Sequence, residues 1–187
     1  MQLVNMLEVV KTNYKEIDFL LNADIAYTLR KVNEIKAIID KDGDLKEPFY
    51  FQLVYRATIN YLASASALID YCRKFVKQFD KQIQDEHSIK VKEFFNNDLC
   101  YFVKDLRNYY LHEALPRYSI KSRQFHEGKD GVLYSLSKQK LLKWDSWKVR
   151  ATTFIANNTE HLDMTLILKK YQTIVDNFYS EIIVYNR

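Results

Sequence analysis

PFYFQLVYRATINYLASASALIDYCRKFVKQF, residues 48–79, decides the fold. Phe51, Tyr55, Leu62, Ile69, Val76 and Phe79 recur at helical spacing and line one seam. Val54, Tyr61, Leu68 and Phe75 widen that seam sideways. So broad an apolar surface needs contact on more than one side, which predicts the central helix of a bundle. Pro48 suits its first turn, where the missing N–H costs nothing. The small residues Ala63-Ser64-Ala65-Ser66-Ala67 would let a second helix approach closely.

The same periodicity extends outward. Leu3, Leu7, Val10, Tyr14, Ile17, Leu21 and Ile25 predict one long helix over 3–40, stopped at Gly43 in Lys41-Asp42-Gly43-Asp44. A shorter helix is expected over 85–96. Another runs from Asp98, a plausible N-cap, to about Ala114, before Leu115-Pro116. Residues 118–136 change character. Tyr118, Ile120, Phe125, Val132, Tyr134 and Leu136 partly alternate with polar residues around Gly128-Lys129-Asp130-Gly131, which predicts a β-hairpin. Trp144 and Trp147 lead into a helix ending near Ala156, and Asn157-Asn158 breaks it. Asp163 can cap a last helix carrying Leu166, Ile167, Tyr171, Ile174, Phe178, Ile182 and Ile183.

The 187 residues suit one domain, 1–187, with a basic hairpin-like insertion at about 117–143. Apolar residues at 48% support a core, and charged residues at 28% keep its surface wet. Only three Gly and two Pro occur, at Gly43, Pro48, Pro116, Gly128 and Gly131, all at expected connections. The fold class is therefore all-α, a helical bundle with a β-hairpin insertion near 118–136. The 14 tyrosines are expected mainly as core and helix-interface packing. Cys72 and Cys100 make no disulfide framework and read as buried thiols in a reducing compartment. No secretory signal or bilayer-length apolar run is visible, so a soluble cytoplasmic protein without a membrane partner is expected.

The net charge of +4 is uneven. Residues 117–150 hold nine Lys/Arg and three acids, and the rest of the chain is slightly acidic. Such a segment can hold a polyanion or be a solvated face. Lys121, Arg123, Lys138, Lys140 and Lys143 are its candidate phosphate contacts. Trp144 and Trp147 can stack on bases or anchor the core, and core anchoring is the more common use. His87, His112, His126 and His161 are scattered, no Cys/His spacing fits zinc, and no glycine loop suits a phosphate, so no metal or cofactor is expected.

Chemistry concentrates in Arg107-Asn108-Tyr109-Tyr110-Leu111-His112. On a helix, Leu99, Phe102, Val103, Leu106, Tyr110 and Ala114 should face the bundle. Tyr101, Asp105, Asn108 and His112 should form an outward stripe, with Arg107 at the border. Arg107 and His112 are separated by about 140° and about 7.5 Å of rise. Metal-free RNA cleavage by 2′-hydroxyl attack needs a proton taken, a proton given and phosphate charge neutralised. Histidine as a residue type changes charge near neutral pH, so His112 is the candidate for the proton work. Arg107 can grip phosphate oxygens in a fork. Asn108 would brace one of them, with Tyr101 and Asp105 in support. Asp105 can orient the imidazole or be a surface charge. One helix offers one histidine, and a two-fold dimer with these helices face to face would offer two.

Arg107-Asn108-x-x-x-His112 on a late helix of an all-α domain resembles the R-x4–6-H signature of the HEPN superfamily, in which a polar residue such as Asn commonly follows the Arg. The resemblance implies an up-and-down helical bundle that dimerises through the motif helices. It implies a metal-independent endoribonuclease of an antiviral-defence or toxin–antitoxin system, with Arg107 and His112 catalytic and Asn108 supporting. RNA, a second copy, and an antitoxin or other defence-system protein are the implied partners. Some toxin members carry a Tyr two residues after the His that a partner antitoxin nucleotidylates. Ala114 stands there in this chain, so that control is not implied. Other members are catalytically silent and bind RNA, a nucleotide or a protein. A purely structural helical dimer is a third reading.

Overall fold

The computed structural model describes residues 2–23, 30, 49–113, 119–124 and 130–184, with side chains over 3–23, 30, 52–113 and 134–181. Seven helices and a small sheet are described: α1 (Gln2–Leu21), α2 (Phe49–Val76), α3 (Lys81–Phe95), α4 (Asp98–His112), β1 (Ser119–Gln124), β2 (Asp130–Ser137), α5 (Lys138–Leu141), α6 (Val149–Asn157), β3 (His161–Asp163) and α7 (Met164–Val184). This is a helical bundle carrying a hairpin, as the sequence pattern predicts.

Helix α2 is the centre. Val54, Ala57, Tyr61, Ala65, Leu68 and Cys72 are buried along it, so the seam expected at its side is the main one. Phe79, expected on the seam, is exposed beyond the helix end. Within the small-residue stretch Ser64 and Ala65 are buried, and Ala67 is exposed. Helix α2 packs against α1 and touches α3 and α4. Tyr61 reaches across the core, stacking obliquely on Tyr14 of α1 (5.5 Å) and edge-on to Tyr171 of α7 (6.4 Å). Its hydroxyl donates to Gln172 Oε1 at 2.9 Å. Tyr61→Phe leaves a buried acceptor without its donor, so a loss of about 1–2 kcal/mol in a urea titration is expected.

Three boundaries differ from the sequence reading, each for a local reason. The helix expected over 3–40 stops at Leu21. The Asn22 side-chain amide donates to both the Asp18 carbonyl and the Asp18 carboxylate, at 2.9 Å each, sharing that carbonyl with the Asn22 backbone N–H at 3.0 Å and folding back on the last turn. Helix α4 is capped by Asn97, not Asp98. Asn97 Oδ1 accepts from Cys100 N at 3.0 Å, while Asp98 occupies the first turn, where a carboxylate favours the helix dipole. Helix α3 begins earlier than expected, at Lys81, because Asp80 accepts from Ile83 N. The predicted Asp163 cap is present, through Leu166 N at 3.2 Å.

The hairpin pairs β1 with β2 antiparallel, from Ser119 opposite Ser135 to Gln124 opposite Asp130. A third strand was not anticipated. β3 pairs antiparallel with β2, placing Leu162 opposite Leu136, both buried. Three residues are too few to show a period of two. Tyr134, Leu136 and Leu162 join the bundle core, so the sheet is docked onto α7. The rest of the 3–40 helix beyond Ala23 (Arg30 excepted), the Gly43 stop, Pro48, Ala114, Pro116 and the turn at 125–129 lie outside the described residues.

Candidate functional site

Helix α4 is covered on two flanks. Cys100, Phe102, Val103, Asp105, Leu106, Tyr109 and Tyr110 are buried. One flank lies on α2 and α7, and the other is roofed by α6. The roof is aromatic. The Phe102 ring stacks with Trp147 and Phe154, Tyr109 stacks with Trp147 at 5.3 Å, and Trp144 meets Trp147 edge-on at 4.8 Å. Trp147 Nε1 donates to the Leu141 carbonyl at 2.7 Å. Both tryptophans therefore anchor α6 against α4.

This roof corrects the expected outward stripe. Asp105 is 2% exposed, and its Oδ2 accepts from the backbone N–H of Lys148 at 2.9 Å. Lys148 is the N-cap of α6 and has no side-chain cap of its own. Asp105 thus fastens one helix start to another helix. The open arc is rotated away from it, to Tyr101, Lys104, Asn108, Leu111 and His112. Tyr101 is half-buried beneath the Arg150 guanidinium, 4.5 Å from the ring centre. Arg150 Nε also donates to Asp98 at 2.6 Å, and its other nitrogens bind Asn96.

The motif residues divide along this arc. His112 is exposed in the last turn of α4, with no partner among the described residues. That turn is held by Tyr55, whose hydroxyl donates to the Tyr110 carbonyl at 2.6 Å, and by Glu113 N donating to the Tyr109 carbonyl. Arg107 and Asn108 are half-buried. The Nε of Arg107 is inaccessible to solvent and makes no hydrogen bond. Arg107 and Asn108 line an open groove of about 1020 Å3 between α2, α3 and α4, and His112 does not. A single chain therefore does not place the imidazole in the cleft that holds the guanidinium.

The groove itself was missed by sequence reasoning. Arg73, Lys77, Lys92, Lys104 and Arg107 line it, against one carboxylate, Asp70. These cations come from three helices, and each taken alone is an ordinary surface charge. The available signal was Arg73 in the last turn of α2 with Lys77 just past its end, together with Lys104 and Asn108 on α4. Only the packing of the helices joins them.

The basic 117–150 segment is used in several ways. Lys138 Nζ donates to the carbonyls of Ala156 and Asn158, the latter at 3.1 Å, closing the end of α6. Lys140 and Lys143 are exposed and do not line the groove. Lys121 and Arg123 occupy β1 opposite Leu133 and Gly131.

His87 also lines the groove and is buried, with its Nε2 unpartnered. Burial first, and the nearby Arg73 charge second, lower its pKa from the ordinary imidazole value. The folded state resists protonation that the unfolded state accepts. Stability from this residue is thus complete above about pH 6.5 and falls as pH drops through that value. Between pH 7.5 and pH 5 the wild-type melting temperature should fall further than that of His87→Leu, as followed by circular dichroism. Burial pushes the free thiols of Cys72 and Cys100 up to about 11, so both are poor nucleophiles at neutral pH.

Among the described residues, no three His, Cys, Asp or Glu side chains gather as a metal site, and no helix is long and apolar enough to cross a membrane. Comparison of the chain with family models, curated proteins and solved structures returns no match.

Proposed function

We propose that the chain is a metal-independent endoribonuclease of HEPN type, serving antiviral defence or a toxin–antitoxin system. One observation carries the reading. Helix α4 presents an exposed His112 imidazole about a turn and a half beyond the Arg107 guanidinium, and neither the imidazole nor the enclosed Arg107 Nε has a partner among the described residues. That Nε is enclosed, so a phosphate would be met by the terminal guanidinium nitrogens of the half-buried side chain.

The chemistry needs two protomers. A two-fold dimer through the open arc of α4 would set one protomer's His112 near its partner's Arg107. It would also cover Leu111, a large apolar side chain 51% exposed next to His112. One imidazole then removes the 2′-hydroxyl proton, and the oxygen attacks the adjacent phosphorus. The second imidazole gives a proton to the departing 5′-oxygen. The products are a 2′,3′-cyclic phosphate and a free 5′-hydroxyl. Arg107 holds the phosphate oxygens as charge builds, and Asn108 steadies the fork.

The second reading is a catalytically silent HEPN domain that binds RNA, a nucleotide or a protein partner. It is favoured by the absence of His112 from the groove that Arg107 and Asn108 line. Incubation of the purified protein with total RNA in EDTA separates the two. Cleavage with cyclic-phosphate ends, lost in Arg107→Ala and His112→Ala, supports the nuclease. Binding without cleavage, unchanged by His112→Ala, supports the silent module.

A further inference from the structure

We infer that the groove between α2, α3 and α4 is a track for single-stranded RNA that delivers a phosphate to Arg107. The inference rests on the RNA-directed reading above but not on cleavage. Three observations carry it.

First, the rim is cationic on all three helices. Arg73 is partly engaged by Asp70 at 3.3 Å, and Lys77, Lys92 and Lys104 have no carboxylate partner among the described residues. All four are exposed and able to meet a backbone. Second, apolar side chains lie among these cations along the groove, with Val91 and Phe95 partly exposed. Apolar surface among cations matches a single strand, whose bases are flat and apolar-faced and whose phosphates lie outside. An acidic peptide has no such flat apolar component. Third, the half-buried Arg107 and Asn108 side chains line the same groove, which brings a guanidinium and an amide to whatever occupies it. The groove ends at Arg107 and Asn108, and His112 lies one helical turn, about 6 Å, further along α4.

The probe is a fluorescent 2′-O-methyl oligouridylate of about twelve nucleotides, which spans such a track and cannot be cleaved. Its binding is followed by anisotropy across a salt series. Arg73→Gln, Lys92→Gln and Lys104→Gln should each weaken binding several-fold. Each should also reduce the slope of log K against log salt by about 0.7, the value for one phosphate on a single strand. Lys140→Gln with Lys143→Gln, away from the groove, should change neither. Melting temperatures of all variants confirm that they are folded.

An unchanged salt slope in the groove variants, or a slope carried by Lys140 and Lys143, overturns the track. Displacement of the oligomer by polyglutamate as readily as by unlabelled oligomer overturns it too, in favour of a generic anion surface. Groove-dependent binding without RNA cleavage in EDTA leaves the track standing and removes the nuclease reading. Cleavage with an unchanged KM in the groove variants does the reverse.

Discussion

His112→Ala is expected to lower metal-free RNA cleavage by about 10²–10⁴-fold, the usual contribution of a positioned acid or base. The fold should be unaffected. The side chain is exposed, makes no hydrogen bond to the described residues, and sits in a turn fixed by Tyr55 and Glu113. Single-turnover cleavage in EDTA, with circular dichroism as the folding control, measures both. The dimer makes a sharper demand. When His112→Ala protein is mixed and re-equilibrated with an equal amount of wild type, random pairing leaves about a quarter of the dimers with two imidazoles. If both imidazoles are needed, activity falls to about a quarter. If each chain cuts alone, it falls to half. The second outcome removes the composite site.

Asp105→Ala is expected to be the most damaging polar substitution for stability, at about 3 kcal/mol. It strips the acceptor from a part-buried N–H at the start of α6 and leaves a cavity where the buried carboxylate stood. For a chain of this size that corresponds to a fall of about 6–12 °C in melting temperature. Asp105→Asn keeps a carbonyl oxygen for Lys148 and should cost about 1 kcal/mol. Nuclease activity in Asp105→Asn should follow the folded fraction, because Asp105 bonds the α6 backbone and lies under the aromatic roof. A large loss of cleavage with an unchanged melting temperature would return Asp105 to a role beside His112.

The helices were legible wherever one face is buried and long. Leu3, Leu7, Val10 and Ile17 of α1 are all buried at the expected period, and so are Ile167, Tyr171 and Phe178 of α7. The hairpin was readable because apolar and polar residues alternate in the sequence on either side of Gly128 and Gly131. What failed depended on groups that periodicity does not weigh. At Asn22 a side-chain amide shares the Asp18 carbonyl with the backbone N–H of the same residue. At Asn97 and Asp98 two good caps are adjacent, and the chain uses the first. β3 exists because β2 has an edge to fill, which is a tertiary fact.

The site was legible as composition but not as arrangement. Arg107, Asn108 and His112 do lie on α4, yet helical angles alone could not reveal that α6 covers the Asp105 side. That one contact gives Asp105, expected to support His112 or to be a surface charge, a helix-fastening bond to the start of α6. The charge analysis pointed to 117–150, a contiguous segment, whereas the groove collects its cations from residues 73 to 107 on three helices. Contiguity in sequence is visible without a fold, and convergence in space is not.

Trp144 and Trp147 are the only tryptophans in the chain, and both are tied to Tyr109, in the turn that ends in His112. The intrinsic ultraviolet emission of the protein therefore arises beside its most chemically interesting helix. Docking of a second copy or a ligand there should shift or quench that emission without any added dye. A stopped-flow instrument can then time arrival and departure at α4 on the untagged protein.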